Sequence, residues 1–170
     1  DDVESALVEQ IERLQREPHN TEGWALLGRT YRVLGQLAES AAAYRAGVDQ
    51  AGGPEAAPSA LVADYAEALV FANNNLVSPQ AEAWFGAALA GEAGMPKARY
   101  YLALGRAQRG DMTGAIAGWR GLEADSAPDA PWLEAVRRQI ENAGTRLGID
   151  PKTGKYSTEN SCSSTRYSGN

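Results

Sequence analysis

Cysteine is almost missing from this chain: the single thiol, Cys162, excludes an internal disulfide and any cysteine-rich metal site. Histidine is just as scarce. His19 follows Pro18 and has no second histidine or nearby cysteine with which to share a metal, so it reads as a solvated loop residue. Bases are outnumbered, 16 against 22 acids, for a net charge of −6 and a pI near 4.9. A nucleic-acid partner would call for a basic face able to release counterions from phosphates, and this balance argues against one. No apolar run approaches the ~18–20 residues that a membrane span needs, no secretory signal pattern opens the chain, and its first residues read as the start of an excised segment. Catalytic constellations are lacking too. The carboxylate pairs Glu9/Glu12 and Asp125/Asp129 stand on a solvent face or in a polar joint, without an apolar pocket to raise a pKa. The glycine-rich pieces have no Lys-Ser/Thr ending, and no nucleophile comes with a base. No enzyme, no cofactor and no metal site is expected.

What the chain has is helical periodicity. With 170 residues and 44% hydrophobic content it can bury one sizeable core or build a short solenoid. Val3, Ala6, Leu7, Ile11 and Leu14 recur at helical spacing with charges between them, which predicts a leading amphipathic helix within 1–18. Pro18 ends it, and Asn20-Thr21 supply an N-cap for the next helix.

The next stretch organises the rest. Trp24, Leu27 and Tyr31 fall on one helical face, and Gly28 leaves room there for a second helix. Gly35 makes the turn, and Leu37, Ser40, Tyr44 and Val48 face back. This is the tetratricopeptide (TPR) pattern. It recurs: Val62, Tyr65, Ala66 and Leu69 stand for the first-helix seam, and Ala81, Phe85 and Ala88 for the second. The turn between these helices has grown at Asn73-Asn74-Asn75, with Ser78-Pro79 as a helix start. In a third, imperfect copy Leu102 and Ala103 match Leu27 and Gly28, and Gly110 matches Gly35. Ala115, Trp119 and Leu122 form its second helix, while Arg99 and Arg106 take the places of Trp24 and Tyr31. The expectation is an all-α TPR helical-repeat solenoid with three helix pairs near 21–51, 59–91 and 96–123. A capping helix at 131–143 follows, with Trp132, Leu133, Val136 and Ile140 on one face. From 144 to 170 the periodicity stops, and an irregular or flexible tail is expected, either native or appended, whose alternative role is an extended segment lying in a groove.

A TPR array binds through the concave surface lined by the first helix of each pair, so the face opposite the packing seam is the candidate site. In repeat one it shows Glu22, Ala25, Arg29, Arg32 and Val33. Repeat two adds Ala63, Glu67, Val70, Phe71 and Asn74, and repeat three adds Lys97, Tyr100, Leu104 and Gln108. Apolar groups there share a trough with separated cations, which suits a peptide with one apolar stripe and some acidic groups.

A more specific resemblance rests on Glu22-Gly23-Trp24-Ala25-Leu26-Leu27-Gly28-Arg29-Thr30-Tyr31, on Leu61-Val62-Ala63-Asp64-Tyr65-Ala66-Glu67-Ala68-Leu69 and on Ala98-Arg99-Tyr100-Tyr101-Leu102-Ala103-Leu104. Arg109-Gly110-Asp111 and Ala130-Pro131-Trp132 add to it. Over roughly residues 5–142 the chain resembles the TPR domain of cytochrome c biogenesis proteins of the CcmI/CycH and NrfG type. The resemblance implies a bacterial periplasmic chaperone module, tethered in the full protein by N-terminal membrane segments. It also implies that the module holds the C-terminal part of an unfolded apocytochrome c, presents it to the haem-ligation machinery and performs no catalysis. The alternative is a generic TPR scaffold bridging other protein partners.

Overall fold

The computed structural model describes residues 2–149, so the expected tail beyond them, with Cys162, lies outside the described residues. Eight α-helices follow in order: α1 Asp2–Arg16, α2 Thr21–Val33, α3 Leu37–Gln50, α4 Ser59–Ala72, α5 Pro79–Gly91, α6 Pro96–Gln108, α7 Met112–Ala124 and α8 Leu133–Arg146. Their ends are set by local chemistry. Asn20, Ser78 and Asp111 accept bonds from the backbone N–H groups of Gly23, Ala81 and Gly114, which satisfies otherwise orphaned first-turn donors. Gly35 and Gly110 turn the chain at φ +75 and +92, values that favour a residue without a Cβ. The long second turn uses Asn74 and Asn75 at φ 54 and 62, where asparagine is among the few side chains tolerated.

The helices form the hairpins α2/α3, α4/α5 and α6/α7, and each hairpin packs on the next through α3 against α4, α5 against α6 and α7 against α8. Inside the first hairpin Gly28 lets the Tyr44 ring lie against the α2 backbone; a Cβ there would stand 2.7 Å from that ring. The buried Ser40 hydroxyl donates to the Gly28 carbonyl at 2.7 Å. Leu7, Ile11 and Leu14 of α1 close the front end on Leu27, Trp24 and Tyr31. The main core joins Tyr44 and Val48 of α3, seven residues of α4, and Ala81, Phe85 and Ala88 of α5. Each fully buried large side chain, such as Phe85 or Val62, contributes ~1.5–3 kcal/mol.

The far end differs from the expectation in extent. α8 begins at Leu133, with Trp132 just before it donating its indole N–H to the Ser126 hydroxyl, and it runs on to Arg146. Its end is a Schellman closure: Gly148, at φ +68, donates to the Thr145 carbonyl, and Ile149 donates to the Gly144 carbonyl. Gly144 therefore lies inside the last helix, buried, instead of opening the tail.

Candidate binding face

Along the solenoid the first helices touch one another from repeat to repeat, α2 with α4 and α4 with α6, and no comparable contact joins α3 to α5 or α5 to α7. Two rows of helices, one drawn closer than the other, must curve towards the closer row. The row α2, α4, α6, continued by α8, accordingly lines the inner face.

An ionic lattice ties this face together. Lys97 donates to Asp64 at 2.5 Å and to Glu67 at 3.0 Å, the Tyr101 hydroxyl donates to Glu67 at 3.1 Å, and Arg32 stands 3.5 Å from Glu67. Three consecutive first helices thus meet on one carboxylate. Burial works against the Lys97 charge, but the bonds and charges of Asp64 and Glu67 outweigh it and hold the ammonium above its ordinary value. Burial, reinforced by Glu67, pushes the Tyr101 phenol well up, and burial with Asp64 raises that of Tyr44.

The structure distributes the expected site residues unevenly. Arg29 is exposed and forms no ion pair among the described residues, whereas Arg32 is committed to Glu67 and lies 5.8 Å over the Phe71 ring. Val33 is 83% exposed at the end of α2, and Ala25 is half-buried against the main core. Asn74 is exposed, and its backbone makes the turn after α4. Gln108 is spent on that same turn: its amide donates to the Asn75 carbonyl and accepts from the Val77 N–H, both at 2.8 Å. Tyr100 leans towards α7 and α8, 6.3 Å from Trp119, with its hydroxyl accepting from Gln139 at 3.0 Å. Leu104 packs between two core clusters.

Two expected face residues need correcting. Val70 and Ala63 are each 1% exposed and belong to the core. α4 is the central helix, in contact with α2, α3, α5 and α6, and is apolar around most of its circumference. Counting a face opposite its seam therefore reaches core instead of solvent.

The face also extends further than the sequence reading. Between α6 and α8 lies a cleft of about 620 Å³, lined by Leu104, Met112, Trp119, Gln139, Asn142 and Arg146 among others. Leu104 is an expected face residue, whereas reading α8 as a cap hides Gln139, Asn142 and Arg146. A signal was present: Val136, Ile140 and Ala143 follow Arg99, Ala103 and Arg106 by the same step that separates those three from Val62, Ala66 and Leu69. α8 stands where the first helix of a fourth repeat would.

Helix pairs stacked in one direction, with an inner face of first helices, define a TPR-type helical-repeat module. The family description "Cytochrome c-type biogenesis protein H TPR domain" matches residues 11–132, and the chain belongs to that family. Its relatives include two proteins named cytochrome c-type biogenesis protein CycH. The one from Rhizobium meliloti (strain 1021) is 35% identical over 140 residues, covering 82% of this chain and 36% of the relative. The one from Bradyrhizobium diazoefficiens is 31% identical over 143 residues, covering 84% of this chain and 37% of the relative. The chain thus spans a little over a third of the length of these relatives. Crystal structures of MamA share the fold. One has a TM-score of 0.68 at 18% identity, covering 86% of this chain and 80% of its own. Another has a TM-score of 0.67 at 20% identity, covering 86% of this chain and 74% of its own.

Proposed function

We propose that this module holds an unfolded apocytochrome c by its C-terminal amphipathic segment, in the bacterial periplasm, and presents it to the components that attach haem. The observation that carries the reading is the inner face. A row of first helices sets apolar groups (Phe71, Tyr100, Leu104) on the same face as the exposed cation Arg29, in a chain of a cytochrome c biogenesis family. An amphipathic helix laid in a groove needs such a mixture, with apolar contacts for affinity and charges for register. The parent protein is read as membrane-anchored; within the described residues no helix is long and apolar enough to cross a membrane.

Calorimetric titration with a peptide copying the C-terminal helix of an apocytochrome c tests this. Saturable binding that a scrambled peptide of the same composition does not reproduce is expected. An absence of saturable heat, together with capture of a folded partner unrelated to cytochromes, would favour the scaffold alternative instead.

A further inference from the structure

We infer that the cleft between α6 and α8 is the anchoring subsite of the inner face: it seats a large apolar side chain of an amphipathic helical partner, while Arg146 pairs with a carboxylate about one turn away on that helix. This rests on the reading of the inner face as a helix-binding groove, though not on the partner being a cytochrome.

The first point is shape. α2 meets α4 and α4 meets α6 along the inner face, but α6 and α8 meet through the Gln139–Tyr100 bond and leave open the space beyond it, towards their C-terminal ends. A volume of about 620 Å³ falls in the range of sites that bury a substantial ligand group. The second point is lining. Leu104, Met112 and Trp119 supply its apolar lining, and the unbranched thioether of Met112 adapts to an entering side chain. Trp119 is held in place by its indole N–H, which donates to the Tyr100 carbonyl at 3.2 Å. Gln108 is fixed by the turn after α4 and serves as a rigid wall.

The third point is charge. Among the described residues Arg146 is the one charged member of the lining, is exposed, and forms no ion pair. Elsewhere on the inner face Lys97 and Arg32 are already neutralised by Asp64 and Glu67, and Arg29, exposed and without an ion pair among the described residues, lies on α2 at the other end of the row. A carboxylate arriving at the Lys97 cluster would meet two acids, whereas one arriving beside the cleft meets a guanidinium that no described residue compensates, in a lining whose other described residues are uncharged. A carboxylate near an apolar anchor is therefore the arrangement that this end of the face selects.

The test uses the whole chain and two probes. One is a short amphipathic helical peptide with a single phenylalanine and a glutamate one turn further on; the other is the apocytochrome C-terminal peptide. Binding is followed by fluorescence anisotropy of labelled peptide, for the native chain and for Arg146→Glu and Asn142→Trp, both at exposed positions. Circular dichroism and melting curves confirm that the variants fold. The expected result is that each variant weakens the probe peptide about tenfold or more, the Arg146→Glu effect shrinking with salt. Replacing the probe's phenylalanine by alanine, or its glutamate by lysine, should do the same on the native chain. A probe that does not bind, or that binds both variants and its own phenylalanine-free form as well as the native pair, overturns the inference. If the probe behaves as expected and the cytochrome peptide does not bind, the cleft stands and only the cytochrome reading falls.

Discussion

Gly28, Tyr44 and Ser40 show how little side chain a repeat needs at its closest approach. Gly28→Ala should raise intrinsic helix propensity by ~1 kcal/mol, yet the added Cβ would meet the Tyr44 ring at 2.7 Å. Overpacking of this kind costs ~1–3 kcal/mol, so net destabilisation of ~1 kcal/mol is expected in urea unfolding. Trp24 is half-buried, donates its indole N–H to the Pro18 carbonyl at 2.8 Å, and packs on α1. Trp24→Ala should therefore cost stability near the low end of the ~3–5 kcal/mol range for such truncations. Arg29→Ala, at an exposed position without an ion pair among the described residues, should leave the unfolding midpoint unchanged and weaken peptide binding. Lys97 and Tyr101 make stability depend on alkaline pH. Both folded-state pKa values are raised above ordinary values of 10.5 and 10.0. The folded state then holds protons that the unfolded state releases, so their contribution is complete below pH ~10 and is lost as pH rises beyond it. Melting temperature should stay level from neutrality to about pH 9 and drop above pH ~10, with a shallower drop in Tyr101→Phe.

Among the elements, α4 carries the solenoid. It meets four other helices, and its Glu67 gathers Arg32 from α2 and Lys97 and Tyr101 from α6. Glu67→Gln keeps the shape and removes the charge, and should destabilise by ~1–3 kcal/mol in urea unfolding. A double-mutant cycle with Lys97→Met should show coupling, since the two side chains share one network. The same centrality explains what the sequence conceals. Hairpins, caps and turns were legible because Asn20, Ser78, Gly35 and Gly110 act within a few residues of themselves. The binding face was only partly legible, because which side of α4 meets solvent depends on four helices, of which α2 and α6 lie beyond its sequence neighbours, and Val70 and Ala63 face the core. Lys97, Arg32 and Gln108 were correctly placed on first helices, but their partners, Asp64, Glu67 and the Asn75–Val77 turn, belong to the adjacent repeat. The helical period of α8 is legible in the sequence, whereas its place beside the first helices depends on its packing against α7 next to the cleft.

At the scale of the molecule, the repeats turn short-range packing into one long inner surface, which no single hairpin could provide. In the proposed function partners are held on this row of first helices, and the outer helices support it. Backbone amide chemical shifts of the isotope-labelled chain, recorded during titration with the apocytochrome C-terminal peptide, test it most directly. Shifts are expected on the inner sides of α2, α4, α6 and α8, largest around Leu104 and Arg146, with the solvent sides of α3, α5 and α7 unchanged. Shifts concentrated on α3, α5 and α7 would contradict it.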